Sequence, residues 1–133
     1  MSRILVVEDE PANVEILKRL LTRKKHDVLV ANTKEEAVAT AAAEQPDLIL
    51  MDIGIPNAAG EEANRYGGVE AARLIKAAAA PQPIPIIALT ASAMMDEKKR
   101  FLEAGCDAVQ TKPFEFAALL ETIERHLLIG KNP

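Results

Sequence analysis

The sequence predicts an α/β fold: a doubly wound, five-stranded parallel sheet of order 2-1-3-4-5 with helices on both faces. Short β-rich apolar runs alternate with longer stretches of helical period about five times along the chain. The first run, Ile4-Leu5-Val6-Val7, is continuously apolar, as a central parallel strand buried on both faces must be. Each parallel return needs a right-handed crossover, and the intervening helical stretches supply one each time. The 133 residues suit one domain, and the whole span 1–133 is expected to be that domain, without a linker.

After the first strand, Pro11 stands where the first turn of a helix tolerates proline, and Val14, Leu17 and Leu21 follow at helical spacing. Val28-Leu29-Val30-Ala31 reads as the second strand. Thr33 with Glu36 is a capping-box signature, opening an Ala-rich helix that runs to about Glu44 before Pro46. Asp47 to Met51 forms the third strand, which ends at Asp52. A polar, Gly-containing stretch from Gly54 to Gly67 comes next, long beside the usual βα loop of about 2–6 residues. A helix is expected from Val69 to about Ala79, then an interruption by Pro81, Pro83 and Pro85. The fourth strand, Ile86 to Leu89, ends at Thr90, and the following helix closes at Gly105, a suitable C′ residue. A fifth strand from Asp107 to Thr111 leads to Lys112-Pro113. The last helix presents Phe116, Leu119, Leu120, Ile123 and Leu127 on one face.

Composition narrows the function. Hydrophobic residues are 49% of the chain, enough for a real core. A formal net charge of −4 argues against a nucleic-acid surface, which needs a concentrated excess of Lys and Arg. The lone Cys106 allows neither an internal disulfide nor a cysteine metal cluster. Charge appears within a few residues of the N-terminus, unlike a signal peptide. No stretch approaches the roughly 20 apolar residues of a membrane span. A soluble, cytoplasmic domain without membrane or nucleic-acid partners is therefore expected.

The polar residues that terminate the apolar runs carry the chemistry. The first strand ends in Glu8-Asp9, the third in Asp52, the fourth in Thr90 and the fifth in Lys112. Parallel strands deliver their C-terminal ends to one edge of the sheet, and this class of fold binds ligands there, beside strands 1 and 3. Crowded carboxylates raise one another's pKa unless a cation neutralises them. Hard oxygen ligands suit Mg²⁺, which binds through one or two carboxylates plus phosphate oxygens. A carboxylate beside that metal can attack phosphorus and form an acyl phosphate, while the metal and a lysine balance charge on the phosphoryl oxygens. Thr90 can donate a hydrogen bond to one of those oxygens. Taken singly, Asp9 reads equally as a cap, Thr90 as structural and Lys112 as a surface lysine. Their joint placement is what points to a site.

The stretches Ile4 to Glu10, Asp47 to Ile53, Pro85 to Ala91, and Thr111-Lys112-Pro113-Phe114 resemble response-regulator receiver domains of two-component signalling. The resemblance covers essentially the whole chain and implies the flavodoxin-like form of the sheet. It implies Asp52 as phosphoacceptor, Mg²⁺ on Asp9 and Asp52, the backbone carbonyl of Gly54 as a third ligand, and Glu8 helping through water. It also implies that Thr90 draws toward the phosphoryl group, that Lys112 pairs with it, and that small Ala91 leaves it room. A histidine kinase or histidine phosphotransfer protein becomes the expected donor, and a downstream protein the expected target. The Lys112–Pro113 bond is expected to be cis.

Two departures from the family pattern stand out. Val109 occupies a position where receivers usually carry an aromatic residue, and valine cannot make the same inward–outward swing. It is expected to pack in the fifth strand, with activation travelling through the Thr90 backbone and the next helix. The second departure is an insertion of roughly eight residues after Pro56, which includes the only tyrosine, Tyr66; as loop lengthening costs little, a tolerated surface insertion is the plainer expectation. It could shield the acyl phosphate from water, offer Arg65 to it or shape a partner surface, and the sharper expectation is that it alters phosphorylation lifetime. His26, His126 and Lys98-Lys99-Arg100 are expected on the surface, Cys106 at the start of the fifth strand, and Met94-Met95 in helix packing. A free-standing regulator is expected, with a module of a hybrid kinase, an unphosphorylated scaffold and a Mg²⁺-dependent small-molecule phosphohydrolase as alternatives. Such hydrolases commonly have an acid two residues after the nucleophile, where this chain has Gly54.

Overall fold

The computed structural model describes residues 2–78, 84–91, 94–112 and 115–131, with the side chains of 129–131 excepted. Strands β1 (Arg3–Val7), β2 (Asp27–Ala31) and β3 (Leu48–Asp52) alternate with helices α1 (Pro11–Arg23) and α2 (Lys34–Glu44). A hairpin of two-residue strands, β4 (Ile55–Pro56) and β5 (Ala63–Asn64), precedes α3 (Gly67–Ala78). Then come β6 (Ile86–Thr90), α4 (Met95–Glu103), β7 (Ala108–Thr111) and α5 (Phe116–Lys131). The main sheet has the order β2-β1-β3-β6-β7, all parallel. With the hairpin set aside, that is the expected 2-1-3-4-5 winding.

The period-2 alternation of the strands divides the core between the two faces. Leu5, Val7, Ile49, Met51, Ile86 and Ala88 meet the small residues of α2 and α3 and Phe101 of α4 on one side. Ile4, Val6, Leu48, Leu50, Ile87 and Leu89 meet Leu17 and Leu21 of α1 and Leu119, Ile123 and Leu127 of α5 on the other. Edge strand β2 is only half-buried along most of its length, whereas every residue of β3 and β6 is buried. Local signals act as read: Pro11 opens α1, and Thr33 Oγ1 accepts from the Glu36 amide at 3.1 Å. Gly105, at φ +114°, turns the chain after α4 in a conformation that L side chains rarely adopt.

Several expectations need correcting. Helix α3 begins at Gly67, two residues before Val69, and the stretch after Asp52 holds a paired hairpin. Met94 and Met95 are 64% and 81% exposed and do not pack inward. Phe116 is 45% exposed because only Leu119, Ile123 and Leu127 of its face reach the sheet. His26 and His126 are half-buried, and a ring nitrogen of His126 lies 2.9 Å from the Thr122 carbonyl oxygen. Val109 packs half-buried against the core and Cys106 is buried just before β7, both as expected. The Lys112–Pro113 bond lies outside the described residues.

Candidate functional site

Three acids and a lysine meet at the C-terminal edge of the main sheet. Glu8 follows β1 and is fixed by its neighbour β2: its amide donates to the Ala31 carbonyl at 3.0 Å, and Asn32 Nδ2 donates to the Glu8 carbonyl at 2.9 Å. Asp52 is the last residue of β3, in register with Leu89 of β6, so Thr90 stands one residue further along the adjacent strand. Lys112 follows β7, and its amide donates to the Thr90 carbonyl at 2.6 Å. That bond carries the lysine stem toward the middle of the sheet. Its Nζ lies 3.1 Å from Asp52 Oδ1 and 3.3 Å from Glu8 Oε2.

Glu8, Asp52 and Thr90 are buried, whereas Asp9 is exposed. Glu8, Asp9 and Asp52 each offer an oxygen within 4.8 Å of the other two. Such hard oxygens, open to solvent on the Asp9 side, fit a small divalent cation that keeps several waters. Burial pushes the Glu8 carboxyl above its ordinary pKa, and the Asp52 charge pushes it further; Lys112 and the Glu10 amide only partly offset this. Burial works against the Lys112 ammonium, but the carboxylates of Asp52 and Glu8 outweigh it and hold that pKa above the usual lysine value. A cation entering here would relieve the crowding that the lysine leaves uncompensated.

Of the residues singled out in the sequence, Glu8, Asp9, Asp52 and Lys112 are brought together and Thr90 sits beside them on the neighbouring strand. Gly54 follows two residues after Asp52, on the way into β4, where a Cβ would touch nothing. Sequence reasoning missed the pair Gly67-Gly68. A Cβ on Gly68 would overlap the Asp52 carbonyl oxygen and stand 2.7 Å from Ile53 Cα. The Gly68 amide donates to the Ile53 carbonyl at 2.8 Å, so α3 starts pressed against the backbone that carries Asp52. Adjacent glycines inside a helix cost about 1 kcal/mol each against alanine, and that penalty was the available signal of a close approach.

The insertion is tied to its neighbours by hydrogen bonds and an ion pair. Its Asn57 carbonyl accepts from the Glu35 amide in the first turn of α2, at 3.0 Å. Asn64 donates to both Asn57 and Glu70 at 2.9 Å. Arg65 reaches Glu97 of α4 at 3.2 Å, an engagement directed at that helix.

The family model described as response regulator receiver domain matches residues 4–124. The polar-differentiation response regulator DivK of Brucella ovis is 31% identical over 124 residues, covering 93% of this chain and 94% of that protein. The receiver domain of sensor histidine kinase PA1611 from Pseudomonas aeruginosa, solved with a magnesium ion in its active-site cleft, is similar with a TM-score of 0.81 and 32% identity. That match covers 95% of this chain and 97% of the other. The signal receiver domain of a signal transduction histidine kinase from Syntrophus aciditrophicus is similar with a TM-score of 0.84 and 30% identity, covering 100% and 95%.

Proposed function

The chain belongs to the family of response regulator receiver domains, and from that premise we propose that it is a Mg²⁺-dependent signalling switch phosphorylated on Asp52. The observation that carries the reading is Lys112 Nζ bridging Glu8 and Asp52 at the sheet edge, with Asp9 alongside. An Asp52 carboxylate oxygen attacks the phosphorus of a phosphohistidine on a histidine kinase or histidine phosphotransfer protein. A P–O bond forms, the P–N bond breaks, and its electron pair returns to the imidazole nitrogen. Water later attacks the acyl phosphate, releasing inorganic phosphate and restoring the carboxylate.

Each residue has a part in that exchange. Asp9, Asp52 and the Gly54 carbonyl would hold Mg²⁺, with Glu8 assisting through water. When bound, the ion neutralises charge on the phosphoryl oxygens. Lys112 pairs with Asp52 at rest and offers its ammonium protons to a phosphoryl oxygen afterwards. Thr90 donates its hydroxyl to another. The output is binding of a downstream protein or onward phosphotransfer, with the chain in the cytoplasm and its own catalysis limited to self-phosphorylation and self-dephosphorylation.

Incubating the chain with Mg²⁺ and acetyl phosphate tests this reading. A stoichiometric, hydroxylamine-sensitive label that disappears in Asp52→Asn is the expected result. Many turnovers on a phosphate monoester such as p-nitrophenyl phosphate would instead identify a small-molecule phosphohydrolase, and no label at all from acetyl phosphate would leave a scaffold.

A further inference from the structure

We propose that the hairpin insertion is a strap that couples the Asp52 end of β3 to helix α4, with Tyr66 as its positioning residue. The inference rests on the reading of Asp52 given above for its role, though not for its geometry.

The strap is continuous in covalent and packing terms. At one end, Gly68 presses on the backbone of Asp52 and Ile53, where even a methyl group would not fit. Two residues earlier, the Tyr66 backbone is fixed from both sides. Its amide donates to Asn64 Oδ1 at 3.0 Å, and its carbonyl accepts from the Glu70 amide at 3.0 Å, opening α3. The phenol ring packs half-buried against the core cluster that contains Phe101, as does Val109. It also lies 4.7 Å from the Arg100 guanidinium and 5.4 Å from that of Arg65. Arg65 in turn pairs with Glu97, one turn before Arg100 on α4. A ring that faces two cations and touches the core is a specific anchor, because the guanidinium–ring attraction is directional.

The chemistry of this cluster explains why it joins the two regions. Arg65 alone would be a weak exposed ion pair, since 75% of its side chain is open to solvent. Tyr66 adds apolar contact that solvent does not screen. A shift of the Asp52–Ile53 backbone is passed to Gly68 by direct contact. From there it reaches the Tyr66 ring through two rigid peptide units, and then α4 through Arg100. Val109, which packs against the same cluster, has no aromatic ring to offer α4. The insertion supplies a ring in Tyr66.

Hydrogen exchange on the full chain tests the strap. At rest, the amides of α4 are expected to exchange roughly fivefold faster in Tyr66→Ala than in the wild type, the scale of one lost cation–ring contact. Tyr66→Phe, which keeps the ring, should restore protection. Arg100→Met, a change at an exposed position, should reproduce the faster exchange if Tyr66→Ala folds poorly. Beryllofluoride with Mg²⁺, a mimic of the acyl phosphate, should alter α4 exchange in the wild type and in Tyr66→Phe, and clearly less in Tyr66→Ala, where only the route through Thr90 is left. Unchanged resting exchange in α4 of both Tyr66→Ala and Arg100→Met, or an undiminished beryllofluoride response in Tyr66→Ala, would overturn the proposal. The resting comparison involves no phosphorylation. A wild type that takes no label on Asp52 therefore sinks the proposed function while the strap is still judged on its own difference.

Discussion

Strands β1 and β3 carry charged residues at both of their ends, and the two ends are built differently. At the N-terminal edge, Arg3 pairs with Glu44, and its amide donates to Asp47 at 2.8 Å. The side chains of Arg3 and Glu44 are 42% and 46% exposed, so solvent screens them and the pair contributes little stability. At the C-terminal edge, Lys112 meets Glu8 and Asp52, whose side chains are 2% and 11% exposed. The residue types are nearly the same. Burial makes the difference: one end is settled, while the other keeps two acids crowded around one lysine and a third acid within reach. An edge that retains uncompensated negative charge suits a cation, as the proposed function requires.

The largest expected effect separates the two lysine- and arginine-centred pairs. Lys112→Ala should slow labelling by acetyl phosphate about 10²-fold, the usual cost of deleting one group that stabilises charge in a transition state. Arg3→Ala should leave the labelling rate unchanged and lower stability by under about 1 kcal/mol in a urea titration. Equal effects from both variants would erase the distinction between the edges.

A smaller effect sharpens the steric side of the comparison. Gly68→Val should cost about 1–3 kcal/mol by overpacking and slow labelling by displacing Asp52. Gly54→Ala keeps its backbone carbonyl and meets nothing within 4 Å, so its melting temperature should stay near that of the wild type. The smallest effect is electrostatic. The raised Glu8 pKa means that the neutral carboxyl suits the metal-free fold better than the charged one. Glu8→Gln should therefore raise the melting temperature of the metal-free protein at pH 7. Its advantage should vanish as pH falls below the ordinary carboxylate range, where both side chains are neutral. A gap that widens on acidification would show that the sign is wrong.

How much of this could be read from the sequence depends on the range of the interaction. The buried strands were legible because Ile4 to Val7, Leu48 to Met51 and Ile86 to Leu89 are apolar throughout. The convergence of Glu8, Asp9, Asp52 and Lys112 then followed from parallel topology alone. The hairpin was not legible: Ile55 pairs with Asn64 and Pro56 with Ala63, too few residues to show a period of two. Gly67-Gly68 looked like loop residues because their reason lies across space, on the Asp52 carbonyl. Met95 and Phe116 looked like core because helical spacing reports a face without saying how far that face is covered.

Borohydride reduction of the phosphorylated chain, followed by peptide sequencing, tests the central claim most directly, since it converts an aspartyl phosphate to homoserine. The account predicts homoserine at position 52 alone, formed only when Mg²⁺ was present during labelling. Homoserine at position 9, or labelling that proceeds equally well in a metal chelator, would contradict it.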